Sequence, residues 1–378
     1  MRIFHVSADQ FTELDSLPET LPAQGFLWVG SARREFEVRV GELQQGLQRW
    51  TGGQLVDLHI ADLLNNQLPS HYDYTSWYDI MVFRRLAAGV GSASQFIDEE
   101  RGTVSTARMA LAAIDTRPVG FALFDRVLVT VHPTDCAVRD FFADRLSALA
   151  GSGDARGSAR LPSQPADLML RMVNHMVDSY LDLRRLLTRQ LGTLQAQLLD
   201  PRSRFHDWQI LLDSRNTLHM LEDTCEDQRS AVQEWIDAID EWPEEPDTQA
   251  RRERELLRVR SRDVLEHIER VLGHVRRLEQ SAETSVQMHF SALGHRTNDI
   301  MRTLTVLTAI FLPLNLITGF FGMNFDALPL IHAAFGTWVA LGLMVAVAAG
   351  LLLFFRHQRF LSSSSGSSSG SSGGGSGR

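Results

Sequence analysis

The sequence contains no lysine, so all 37 of its Lys/Arg positions are arginine. This absence fits a GC-rich coding bias, and arginine keeps its charge where lysine can be neutralised. Cysteine is nearly as scarce. Only Cys136 and Cys225 occur, without paired spacing. That argues against a disulfide framework or a thiolate zinc site and fits a reducing compartment. Positive charge is in deficit, with a formal net charge of −9, which argues against nucleic acid as a partner. An acidic soluble body either concentrates cations by its field or simply keeps a solvated surface. Met1-Arg2-Ile3-Phe4-His5 has no apolar signal core, so the bulk of the chain is expected in the cytoplasm. Residues 1–295 hold no long apolar run. There is no nucleophile elbow, zinc-protease helix or glycine-rich phosphate loop, so an enzyme is the least expected class and no cofactor is expected.

What is present divides by pattern. Residues 1–160 mix short strand-like runs with helices, as in a cytoplasmic α/β domain. Strands are expected at Ile3–Val6, Phe26–Gly30 and Asp79–Phe83, with a hairpin of Phe121–Phe124 and Val127–Val131 around Asp125-Arg126. A helix over Asp140–Leu149 leads into a loop from Gly151 to Ser158. Residues 161–297 read as a long helical stalk. Its first helix is expected over Asp167–Leu199, stopped by Asp200-Pro201, and its second over Phe205–Glu241, stopped by Trp242-Pro243. An acidic cluster of Asp237, Asp240, Glu241, Glu244, Glu245 and Asp247 surrounds that turn. A third helix starts near Thr248 and meets no strong breaker before Pro313. If continuous to Phe321 it runs roughly 70 residues, or about 105 Å. A helix of that length needs partners along it.

Residues 298–360 hold two charge-free stretches, Thr303–Phe321 and Ala333–Phe355, of about 19 and about 23 residues, enough for a ~30 Å hydrocarbon core. Arg296 and Arg302 precede the first, Arg356 and Arg359 follow the second, and the loop between has no basic residue. The positive-inside rule then puts both termini in the cytoplasm. Residues 361–378 are a Ser/Gly tail that resembles an expression-tag remnant.

On the first apolar helix, Asn298, Met301, Thr305, Thr308, Leu312, Asn315 and Gly319 recur at steps of three and four, a heptad stripe on one face. This stripe is more polar and less bulky than the faces carrying Ile310, Phe311, Leu314 and Phe320. In a ring of identical helices it would line a water-filled path. Dry helix–helix packing, where Thr, Asn and Gly are also favoured, is the other use of such a stripe.

The helix ends on Gly319-Phe320-Phe321-Gly322-Met323-Asn324-Phe325. A Gly-Met-Asn triplet at the outer end of the penultimate membrane helix, before a short loop and a last helix with a basic end, resembles the CorA superfamily of divalent metal-ion transporters. The run from Arg296 to Leu314 is similar to that family's stalk-to-membrane passage, and the hairpin ending Val129-Thr130-Val131-His132 to its N-terminal domain.

The resemblance implies a funnel-shaped homopentamer in a bacterial inner membrane, its partners being divalent ions, the bilayer and other copies of itself. Mg2+, with Co2+ and Ni2+, would enter through the shared pore. Gly322, Met323 and Asn324 would form the selectivity site at the mouth, Asn324 and Gly322 making the first ion contacts. A ring of neutral amides suits Mg2+, which dehydrates reluctantly, because it binds the water shell without holding the ion. Met301 and Leu304 resemble the family's apolar constriction, with Asn298 just below it. Asp263 falls where the family has a regulatory carboxylate.

Two departures keep another ion open. Leu330 stands where many magnesium-carrying members have an acidic residue, leaving Asp326 as the loop's negative charge and His332 as a nitrogen ligand. The basic C-terminal ring is thin, reduced to Arg356 and Arg359. A proton-coupled Zn2+ transporter of the ZntB type therefore stands as the alternative, and a non-conducting membrane-anchored scaffold as a second. His267, His274, His289 and His295 are expected to be solvated rather than zinc ligands.

Overall fold

The computed structural model describes residues 1–88, 114–151, 160–199, 208–242, 247–323 and 335–357. The chain divides into two compact units, Met1–Val286 and Gln287–Arg378. Asn324, Asp326, Leu330 and His332 lie outside the described residues. So do most of the 151–158 loop, the turns at Pro201 and Pro243 with Glu244 and Glu245, Arg359 and the Ser/Gly tail.

In the first unit, period-two alternation of apolar side chains builds the sheet. In chain order the elements are β1 (Arg2–Val6), β2 (Phe11–Leu14), β3 (Phe26–Ala32), α1 (Arg33–Thr51), α2 (Asp57–Leu64), β4 (His71–Tyr74), β5 (Asp79–Arg84), β6 (Ala87–Ala88), β7 (Ile114–Asp115), β8 (Pro118–Phe124) and β9 (Val127–His132). Seven strands pair in the order β2-β1-β3-β9-β8-β5-β4, while β6 and β7 form a small separate ribbon. Only β3 and β9 run parallel; the other neighbours are antiparallel. The expected strands and hairpin are all present, and the Phe124↔Val127 pair closes the Asp125-Arg126 turn.

Both sheet faces are covered. Ile3, Leu27, Val29, Ala122, Val129 and Val131 point to α1 and α2, where Phe36, Leu43, Leu47 and Leu63 complete one core. Gly120 permits the approach of α2, since a Cβ there would sit 2.3 Å from Leu63 Cδ2. Phe4, Trp28, Phe121 and Leu128 point the other way. They meet α3 (Ala137–Gly151) and α4 (Pro165–Asp178) and join the core shared with α5 (Tyr180–Leu199), α6 (Trp208–Glu241) and the start of α7 (Thr248–Phe321). Each fully buried large side chain contributes about 1.5–3 kcal/mol.

Three differences from the sequence expectation have physical causes. Helix α1 has a weak signal because Gly41 and Gly46 lie inside it, each costing about 1 kcal/mol against alanine. The helix is nonetheless fixed at its ends. The Glu35 carboxylate accepts from the Ala32 N–H at 3.3 Å, and Gly52 closes the helix at φ 75°, its N–H donating to the Gln48 carbonyl. The edge strands β2 and β4 are short and partly exposed, so they lack alternation. The single helix expected over Asp167–Leu199 is interrupted at Ser179. There the hydroxyl donates to the carbonyls of Met176 (2.6 Å) and Leu86 (3.1 Å), competing with helix continuation.

Side chains tie the long helices to the sheet and to each other. Gln228 on α6 donates to the Arg84 carbonyl at 2.6 Å, and the Trp235 indole N–H donates to Ser261 Oγ on α7 at 3.0 Å. Helix α7 runs 74 residues and continues through Pro313. The second unit holds its last stretch and α8 (Gly336–His357).

Candidate ion pathway

The apolar ends of the chain are helices long and apolar enough to cross a membrane, one within Thr248–Phe321 and one over Trp338–His357. Their most apolar windows have mean hydropathy 1.9 and 2.5. On α7 the less exposed positions are Arg302, Val306, Ala309, Ile310, Pro313, Leu314, Ile317 and Phe321. At 100° per residue these centre about 150° from the stripe of Asn298, Met301, Thr305, Thr308, Leu312, Asn315 and Gly319. Every stripe residue is exposed, Leu312 at 67%. Leu304 is also exposed but falls about 60° off the stripe's centre, on its flank. One helix thus carries a half-buried apolar face and, nearly opposite, the expected polar stripe open along its length.

The stripe's threonines have one polarity. Thr305 Oγ1–H donates to the Met301 carbonyl and Thr308 Oγ1–H to the Leu304 carbonyl, both at 2.8 Å. A hydroxyl whose proton is committed to its own helix can only accept outward.

The helix stops at Phe321. Gly322 N–H donates to the Thr318 carbonyl at 2.9 Å, and a Cβ on Gly322 would meet that oxygen at 3.0 Å. The turn therefore favours glycine at the first position of the triplet. Met323 follows, 45% exposed.

Asp263 sits on α7 within the first unit, its side chain 61% exposed and 3.8 Å from His267 Nε2. Its neighbouring arginines are engaged elsewhere, Arg258 with Asp240 at 2.6 Å and Arg260 with Asp167. Of the histidines expected to be solvated, His295 is exposed, His267 and His289 are partly exposed, and only His274 differs. His274 is buried, with Nδ1 2.7 Å from Tyr180 Oη, and burial followed by Arg184 and Arg277 lowers its pKa. It is a core group bridging α5 and α7. His267 is partly exposed between Asp178 and Asp263.

One grouping has no signature in the linear sequence. His219 and Glu222 on α6 and Glu279 on α7 bring their ligand atoms within 4.8 Å of one another. Positions 219 and 222 share a helix face at i,i+3, but nothing in the sequence pairs them with 279.

A family model described as CorA-like Mg2+ transporter protein matches residues 104–357, about two thirds of the chain. Among curated relatives, the magnesium transport protein CorA of Haemophilus influenzae is 33% identical over 101 residues, 27% of this chain and 32% of that one. The cobalt/magnesium transport protein CorA of Thermotoga maritima is 29% identical over 100 residues, 26% of this chain and 28% of that one. The chain thus spans about a third of the length of the curated relatives it matches. The solved CorA magnesium transporter of Methanocaldococcus jannaschii superposes with a TM-score of 0.68 at 17% identity, covering 94% of this chain and 96% of that one, which establishes a shared fold. With that fold, the two apolar helices and the Gly-Met-Asn triplet carried by one continuous match, the chain belongs to the CorA-like Mg2+ transporter family.

Proposed function

We propose that the protein is a homopentameric channel of the bacterial inner membrane through which divalent cations, foremost Mg2+ with Co2+ and Ni2+, flow into the cytoplasm. The observation that carries this reading is the exposed polar stripe on α7, whose threonine hydroxyls can only accept outward and which precedes the Gly322-Met323-Asn324 triplet in the chain. A hydrated cation turns its water hydrogens outward, so its shell donates to whatever lines the path. Threonine oxygens committed as donors to their own helix, together with the amide oxygens of Asn298, Asn315 and Asn324, offer the matching acceptors.

In this reading residues 1–160 form the cytoplasmic domain, 161–297 the stalk and 298–360 the pore domain, with both termini cytoplasmic. Gly322, Met323 and Asn324 make the mouth, Asp326 and His332 stand in the loop beyond it, and Met301 with the flanking Leu304 makes a dry constriction that gates by dewetting. Asp263, with Arg258 and Arg260 engaged by other carboxylates, is a regulatory metal ligand. Inward movement of a divalent ion gains about 4–5 kcal/mol per 100 mV, enough to drive uptake without ATP.

A proton-coupled Zn2+ transporter is the second reading, favoured by Leu330 where an acidic residue is common and by the thin basic end at Arg356 and Arg359. Flux into liposomes decides between them. Mg2+, Co2+ and Ni2+ uptake that follows the membrane potential and ignores a pH gradient supports the channel. Zn2+ uptake that requires the pH gradient overturns it in favour of the second reading.

A further inference from the structure

Away from the pathway, α6 and α7 lie side by side within the first unit and hold a mixed nitrogen and oxygen donor set. His219 Nε2 is 3.1 Å from Glu279 Oε1, and all three ligand atoms of His219, Glu222 and Glu279 fall within 4.8 Å of one another. A tetrahedral zinc ion with ligands at 2.0–2.2 Å needs its donors roughly 3.4 Å apart. Modest side-chain rotation on two helices already fixed by Trp235 and Ser261 would meet that requirement.

We infer that His219, Glu222 and Glu279 form a binding site for a borderline divalent cation of the Zn2+ class, one ion per chain, joining α6 to α7. The chemistry selects the ion. An imidazole with two carboxylates suits Zn2+ and Co2+, whereas Mg2+ takes an all-oxygen, largely water-filled octahedron. Three protein ligands leave a coordination position for water, as in sites that exchange their metal rather than sites closed for structure.

Arg276 is the group that competes with an ion. It donates to Glu222 at 2.6 Å and also bonds Glu226. Because Glu226 offers a second partner, the guanidinium can stay with Glu226 when Glu222 turns to a metal. The remaining charged neighbours, Arg215 and Glu283, pair with each other at 3.6 Å. The site does not depend on what the pore conducts.

The test is isothermal titration of the full chain in detergent with Zn2+ and separately with Mg2+, supported by the visible absorption of bound Co2+. Binding of one Zn2+ per chain should be lost, or weakened at least tenfold, in both His219→Gln and Glu279→Gln. The parallel Co2+ bands should fade in the same variants. Arg276→Gln should tighten Zn2+ binding, since it removes the competitor, and Mg2+ should not displace the ion at equal concentration. Melting temperatures without metal identify a variant that has merely lost its fold, and Arg276→Gln tests the site with all three ligands intact. Unaltered Zn2+ stoichiometry and affinity in both ligand variants, absence of Zn2+ binding by the parent, or equal affinity for Mg2+ would overturn the inference.

Discussion

The two units treat apolar side chains in opposite ways. In the first, Trp28, Phe83, Phe121 and Leu128 are sealed from solvent by the chain's own helices. In the second, only 6% of the apolar window of α7 and none of that of α8 is buried, and Leu307 on α7 remains 52% exposed. A soluble protein rarely exposes apolar surface on this scale. The first unit buries its large apolar side chains within itself. The second leaves two helices exposed that are long and apolar enough to cross a membrane. Its polar stripe and half-buried face point in nearly opposite directions, as the proposed pore requires.

The sharpest way to break that comparison is at the triplet. Asn324→Ala is expected to abolish divalent-cation uptake while the pentamer still assembles, read by liposome flux and size-exclusion chromatography. Uptake equal to the parent's would remove the ion-site assignment and leave the scaffold reading. The next largest effect is thermodynamic. Phe121→Ala should cost about 3–5 kcal/mol by emptying a sealed core, whereas Leu307→Ala should cost less than about 1 kcal/mol, because lipid tails are as apolar as leucine. Denaturant unfolding of both variants in detergent measures the contrast, and equal losses would erase the distinction between the units.

A charge at the constriction probes the second unit differently. Met301→Asp or Leu304→Asp should wet an apolar ring and raise resting flux severalfold. Because Leu304 lies on the stripe's flank, its effect should be the weaker of the two. Reduced or unaltered flux in both would argue against a gate at that level.

The smallest expected effect is a pH slope confined to the first unit. His132 is buried on β9, 2.8 Å from Thr130 Oγ1, and burial followed by Arg139 depresses its pKa from 6.5 to about 3. The folded state therefore excludes a proton that the unfolded state binds. Stability from this group is complete above pH 6.5 and falls as pH drops toward 3, by up to about 1.4 kcal/mol per pH unit. Between pH 6 and 4.5, before most carboxylates titrate, unfolding free energies should decline in the parent and decline less in His132→Gln. Identical slopes would show that His132 protonates without cost in the folded state.

What could be read in advance followed the same division. The apolar helices and the stripe are continuous in sequence, so charge absence and periodicity sufficed to read them, while the triplet was read through its resemblance to a family motif. The buried hairpin of β8 and β9 was legible because its strands are sealed on both faces and read as near-continuous apolar runs. Edge strands β2 and β4 were not, because exposure leaves them no pattern. Neither was the break at Ser179, which depends on the distant Leu86 carbonyl. The role of His274 was hidden for the same reason, since its partner Tyr180 lies 94 residues away. The His219, Glu222 and Glu279 group likewise exists only once α6 and α7 are folded together.

In the proposed pore the stripe on α7 faces water while the rest of that helix's apolar stretch, Thr303–Phe321, does not. Single cysteines at Thr308, Asn315 and Leu307 test it in the full chain reconstituted in liposomes. The native background is low, because Cys136 and Cys225 are both buried and burial raises both thiols, Cys225 to about 12. Thr308→Cys and Asn315→Cys should react with a charged, membrane-impermeant thiol reagent and lose flux as they do, while Leu307→Cys stays unreactive. Reaction at Leu307→Cys with silence at both stripe positions would contradict the account.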